Sequence, residues 1–306
     1  MISNDDRFLR ARHTAETERE YAPMPQPLVV GVYDNHTHLE ISDGENSLDY
    51  KEALDKASSV GVRGVVQVGT DLETSRWSVE IAHLEPRVLA AVAIHPNETP
   101  ELKRAGTLDA ALEEIGQLAA QPRVRAIGET GLDFFRTDEE GQPAQHEAFE
   151  AHIAIAKAND LAMQIHDREA HGSVVETLRR VGAPERTVFH CFSGDLALAR
   201  ICADNGWYVS VAGTSTFKSA VDLREALEIV PRELLLIETD APYLTPAPYR
   251  GRPNSSYMIP YTLRALADTL GGDVAMLAAQ IASNTEAVYG LWDAEPVDTP
   301  RMHPGD

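Results

Sequence analysis

LVVGVYDNHTH, residues 28–38, is an apolar run that ends in two histidines one residue apart. Its aliphatic and aromatic side chains do not alternate with polar ones, so it predicts a strand over 28–34 that is buried on both faces. Strand side chains alternate with period two, so His36 and His38 point the same way and can reach one common cation. The spacing alone is weak, since two polar loop histidines would look the same.

Seven further runs of the same kind follow: VRGVVQVG (62–69), RVLAAVAI (87–94), VRAIGE (124–129), LAMQIH (161–166), TVFH (187–190), GWYVSV (206–211) and LLLIETD (234–240). Amphipathic stretches predict helices over about 47–59, 108–120, 144–159, 169–181, 196–205, 219–230, 261–270 and 274–289. Eight strands alternating with helices predict an α/β fold. They favour a (β/α)8 TIM barrel over a doubly wound sheet, although strand count alone does not separate the two.

The 306 residues, 43% of them hydrophobic, suffice for one large barrel domain. We place it at 27–291, between an N-terminal extension (1–26, mixed charge, ending APMPQP) and a flexible Pro- and Asp-rich tail (292–306). The apolar runs are too short for a bilayer, which predicts no membrane partner. The start, MISNDDRFLR, lacks a basic-then-apolar leader, and Cys191 and Cys202 are the only cysteines. Both features predict a cytoplasmic protein with two buried thiols. A net charge of −21 argues against a protein that coats nucleic acid through a basic surface. It leaves room for an enzyme that meets a phosphodiester through cations held in one pocket.

The ends of the predicted strands carry the chemistry. Glu129, His166, His190 and Asp240 each close a different run, and the C-terminal rim is where barrel enzymes place their reactive groups. With His36 and His38 they make a set of nitrogen and carboxylate donors suited to Zn, Mn or Mg. Six ligands exceed what one zinc takes, so two divalent ions sharing one carboxylate are expected. Glu129, opposite the histidine pair in strand order, is the expected bridge. Asp240 is expected to ligate and to accept the proton of an attacking water.

The blocks DNHTHLE, IGETGLDFFR, QIHDREAH, VFHCFSGD and IETDAPYL, then PYRGRPN, occur in order from about 32 to 289. Together they resemble the TatD family of metal-dependent hydrolases. The resemblance implies a (β/α)8 barrel with two divalent cations and deoxyribonuclease activity, of a 3′–5′ exonuclease kind on single-stranded DNA. It also implies that His36, His38, Glu129, His166, His190 and Asp240 are the metal ligands. The third block departs from the family pattern: AIHPNE keeps His95 but has Asn97 in place of a second histidine. His95 is therefore expected to face substrate, and position 97 has no assigned role.

Arg168, Asp133 and Arg250 are further candidates for substrate contact. Arg168 suits bidentate binding of a phosphate, against a helix-start salt bridge; Asp133 competes with a loop-stabilising pair to Arg136. His83, His146, His152, His171 and His303 lie away from strand ends and are expected to pack or face solvent. The expected partner is a DNA end or small phosphodiester, with no obligate protein partner evident. An amide or ester hydrolase on the same barrel is the alternative, and a non-catalytic scaffold would predict eroded ligand positions, of which there are none.

Overall fold

A computed structural model of the chain describes residues 8–12, 20–43 and 47–292. Eight parallel strands alternate with helices: β1 (Val32–Thr37), β2 (Val62–Val68), β3 (Val88–Val92), β4 (Val124–Asp133), β5 (Ala162–Arg168), β6 (Thr187–Phe189), β7 (Tyr208–Val211) and β8 (Leu235–Ile237). Each strand pairs with the next in sequence, without the order reversal of a doubly wound sheet. The ring is closed beyond the ends of β8 and β1. Asp240 N donates to His36 O at 2.9 Å, and His38 N donates to Ala241 O at 2.8 Å. The fold is the expected (β/α)8 barrel.

Around it lie α1 (Tyr50–Ser59), α2 (Leu72–Leu84), α3 (Thr99–Ala105), α4 (Leu108–Ala119), α5 (Gln142–Ala158), α6 (His171–Val181), α7 (Leu196–Asn205), α8 (Val221–Glu228), α9 (Ile259–Leu270) and α10 (Val274–Tyr289). Their bounds follow local chemistry. Asp195 accepts the N–H groups of Ala197 and Leu198 to start α7, and Gly206 stops it in the left-handed conformation that glycine adopts without cost. Asp71 caps α2, which the sequence reading left without bounds. That helix has weak apolar periodicity because Thr74, Ser75 and Ser78 are buried and held by hydrogen bonds.

Two strands differ most from expectation, and the last, expected over 234–240, spans only Leu235–Ile237. The first starts at Val32, not at 28, and runs on to Thr37. Val29 is 95% exposed, so this part of the apolar run is not core. The polar residues take its place inside because the barrel satisfies them: Asn35 Nδ2 donates to Ile237 O at 2.7 Å, and Thr239 N donates to Asp34 at 2.9 Å. The fourth strand runs on past Glu129 to Asp133. Gly131 permits this, with φ +137° and a position where any Cβ would collide with the carbonyl oxygen of His166.

Inside the ring Tyr33, Val66, Val68, Leu89, Ala91, Ala126, Ala162, Val188 and Leu236 pack on one another, with Tyr289 and Trp292 among them. The opposite faces of the strands meet the helices. Period two then decides what stands at the top of the interior. Ala162, Gln164 and His166 climb one strand, Val188 and His190 the next, Leu236 and Glu238 the last.

The described parts of the N-terminal extension lie against the barrel. Arg10–Ala11 pairs in parallel with Ile41–Ser42. Tyr257 Oη donates to the buried Ala22 at 2.6 Å, and Arg264 donates to Gln26 O at 2.7 Å. The expected flexible tail falls, from 293 on, outside the described residues. Among the described residues no helix is long and apolar enough to cross a membrane.

Candidate metal centre

Glu129, at the middle of β4, is the hub of the barrel mouth. Its Oε1 lies 2.6 Å from His166 Nδ1, 2.9 Å from His190 Nε2 and 3.4 Å from His95 Nε2. Its Oε2 faces the other way, 3.6 Å from His36 Nε2 and 3.9 Å from His38 Nε2. Asp240 Oδ1 closes that side at 3.8 Å from His36 and 3.5 Å from His38. All six residues expected at the rim are thus brought together around one carboxylate.

The backbone explains the convergence. His36 and His38 flank Thr37 at the end of β1, and their Nε2 atoms stand 3.3 Å apart. The Nδ1 of His38 lies 3.0 Å from Val68 O, a pure acceptor, so Nδ1 donates there and Nε2 is turned toward the centre. Cys191 and Asp240 hold left-handed backbone angles, φ 42° and 52°, uncommon outside glycine. Hydrogen bonds secure both turns: Cys191 N donates to Glu238 Oε1 at 2.7 Å, and Asp240 N donates to His36 O.

Carboxylates set the electrostatics of the centre. Burial would raise the Glu129 carboxyl, but the His190, His95 and His166 rings hold it well below the usual carboxylate range. Burial and the neighbouring His190 push His36 down, and its buried Nδ1 has no hydrogen-bond partner. Burial opposes charge on His38 too, yet Asp240, Glu40 and Glu129 lift it to about 9. Among the described residues, three triads have ligand atoms within 4.8 Å of one another: His36, His38 and Glu129; His36, His190 and Glu238; His95, Glu129 and His166. Nitrogen and carboxylate donors converging from two sides of one Glu fit divalent cations.

Three residues stand where sequence reasoning did not put them: Glu238, Asn97 and Arg10. Glu238 is fully buried, 3.1 Å from His190 Nδ1. The period-two argument used for His36 and His38 would have paired it with Asp240. His95, expected to face substrate, lines the cleft and also reaches Glu129. Asn97 acquires a role: its Nδ2 donates to Asp133 Oδ2 at 3.0 Å, and that oxygen lies 3.1 Å from His166 Nε2. Asp133 accordingly turns toward His166, and it accepts the backbone N–H of Arg136. Arg10, from before the barrel, lines the cleft, and nothing in its local sequence could have announced it.

The cleft over the centre has a volume of about 540 Å³. Arg168 and Arg136 line it, Arg168 with its guanidinium 4.0 Å from the Phe135 ring centre. Arg250 packs over Phe217 at 4.5 Å and is not among the residues lining the cleft. His152 is buried on α5, where Ile94 N donates to its Nε2 at 3.3 Å and Thr130 Oγ1 lies 2.7 Å from its Nδ1. His171 pairs with Asp167 at 2.7 Å, His83 sits 2.8 Å from Val79 O, and His303 is outside the described residues.

Known proteins share this arrangement's sequence and fold. The family model described as TatD related DNase matches residues 33–290. A Mycobacterium tuberculosis protein named uncharacterized metal-dependent hydrolase TatD is 44% identical over 262 residues, 84% of this chain and 97% of its own. The Escherichia coli 3′-5′ ssDNA/RNA exonuclease TatD is 32% identical over 262 residues, 83% and 97% of the two chains. The crystal structure of YJJV, a TatD homologue from Escherichia coli, superposes with TM-score 0.76 at 27% identity, covering 85% of this chain and 98% of the other. With a barrel closed around the Glu129 cluster and a match over nearly its whole length, the chain belongs to the TatD family of metal-dependent hydrolases.

Proposed function

We propose that the protein is a two-metal phosphodiesterase that removes nucleotides from the end of single-stranded DNA. The observation that carries this reading is Glu129, whose two oxygens face two different sets of imidazoles. His36, His38 and Asp240 would hold one ion, His166 and His190 the other, with His95 in reach of the second and Glu129 shared between them. Two such ions, of Zn, Mn or Mg, supply Lewis acidity and an activated water at neutral pH.

The protein's own groups do the rest. Asp240 accepts the proton of the attacking water. Glu238 and Val68 O fix the rings of His190 and His38 so that their Nε2 lone pairs face inward. Asp133, held by Asn97, does the same for His166 through its far nitrogen. Arg168 and Arg136 at the cleft bind phosphate oxygens of the strand. The Escherichia coli relative's name supports single-stranded nucleic acid as substrate. The unbridged Cys191 and Cys202 support a reducing cytoplasm as its place of work.

The test is metal analysis of the full-length protein, combined with digestion of end-labelled single-stranded DNA with and without chelator. Bound metal and chelator-sensitive shortening from the 3′ end are expected. Metal with ester or amide turnover but intact DNA would replace this reading with that of an amidohydrolase. Hydrolysis that survives complete metal removal would sink both.

A further inference from the structure

The family match begins at residue 33, yet the cleft contains a cation from before it. Residues 9–12 lie along the loop that follows His38. Leu9 N and Arg10 N donate to Glu40 O at 2.9 and 3.2 Å, and Arg12 N donates to Ser42 O at 2.8 Å. Arg12 then crosses to the loop that follows Asp240. Its guanidinium donates to Pro242 O at 2.9 Å and stands 4.9 Å from the Tyr243 ring centre. The segment therefore spans two loops that carry candidate ligands from opposite ends of the barrel sequence.

Arg10 is held rather than free. Its Nη1 donates to Thr70 Oγ1 at 3.1 Å and its Nη2 forms an ion pair with Asp71, the residue that caps α2. A guanidinium has five N–H donors in a fixed plane, so these two contacts orient it without exhausting it. Its side chain stays 34% exposed, on the wall of the cleft that holds Glu129 and Asp240. The chain as a whole carries −21, so a polyanion gains nothing from the general surface, and capture depends on cations fixed at the cleft.

We propose that Arg10 grips a phosphate of single-stranded nucleic acid adjacent to the one being cleaved, making residues 9–12 a substrate clamp that this chain adds to the barrel. The proposal rests on the nuclease reading for its ligand, while the contact itself is a matter of binding. Arg10 would engage the strand at the cleft wall while the scissile phosphate sits at the Glu129 cluster. A substrate with a single phosphate would not use it.

The test measures binding and turnover separately. Metal-loaded full-length protein is titrated with a fluorescent, phosphorothioate-linked single-stranded oligonucleotide over a range of salt. Arg10→Gln keeps a polar side chain for Thr70 and Asp71 but removes the charge. It should weaken binding about tenfold and reduce the slope of log Kd against log salt by about 0.7, the value of one lost phosphate contact on a single strand. Arg10→Lys should restore the slope and most of the affinity, which a purely structural role would not require. On a cleavable oligonucleotide, Arg10→Gln should raise KM more than it lowers kcat.

Unchanged affinity and salt slope in Arg10→Gln, or no binding by the wild type, would overturn the clamp. If the wild type cuts the oligonucleotide while Arg10→Gln matches it throughout, the clamp alone fails. If binding depends on Arg10 but the wild type leaves the strand intact, the clamp stands and the nuclease reading fails.

Discussion

Glu238 Oε1 lies 3.1 Å from His190 Nδ1, on the far side of the ring from Glu129. A metal-binding histidine is commonly oriented in this way, by a carboxylate on its second nitrogen, and loss of such a partner weakens metal binding about 10–100-fold. Glu238→Gln should show that loss in metal titration while far-ultraviolet circular dichroism stays native. Unchanged metal affinity would remove Glu238 from the centre.

Asp240 stands at the open side of the cluster, and its proposed part is proton acceptance. Asp240→Asn should keep the fold and, at saturating metal, lower turnover by about a hundredfold or more. Near-normal turnover at saturating metal would refute that part.

Gly131 lets β4 pass under His166. Gly131→Ala would place a methyl group against the His166 carbonyl oxygen at a backbone angle that alanine resists. The expected cost is about 1–3 kcal/mol, seen as a lower melting temperature. Metal affinity should fall with it, because the ring of His166 moves with its backbone. A variant as stable as the wild type would show that the strand can yield at this point.

His152 offers a pH signature that does not involve the metal centre. Burial pushes its pKa down to about 3, against an ordinary value of 6.5. Between those values the unfolded chain takes up a proton that the native ring refuses, so stability is intact above about 6.5 and is lost as pH falls toward 3. The slope is at most about 1.4 kcal/mol per pH unit. Denaturant unfolding of His152→Gln should be less stable near neutrality but should lose this component of the acid dependence. Parallel pH profiles for the two proteins would refute the assignment.

Much of this molecule can be read from its sequence because barrel strands buried on both faces leave dense apolar runs. Seven of the eight strands start within two residues of expectation. The exception, the run at 28–34, shows the limit: hydrophobicity marked Val29 as core, and burial instead went to Asp34, Asn35 and His36. What decided that was hydrogen bonding to Ile237, Thr239 and Thr285, 202 to 250 residues away, which no local pattern contains. The site divides in the same way. The residues at strand ends were legible because period two and the barrel rim constrain them. Asn97 on Asp133, and Arg10 on the cleft wall, depend on loops meeting in space, and only the folded chain brings them together.

The seam of the barrel also sets an order of events. His36 and Asp240 enter at opposite ends of the barrel sequence, and the hydrogen bond between their backbones closes a loop of roughly 200 residues, among the slowest contacts for a chain to find. During synthesis the first strand must wait for the last, and no shorter intermediate can assemble the full cluster. Catalytic competence in this enzyme is therefore a report that the whole ring has been completed.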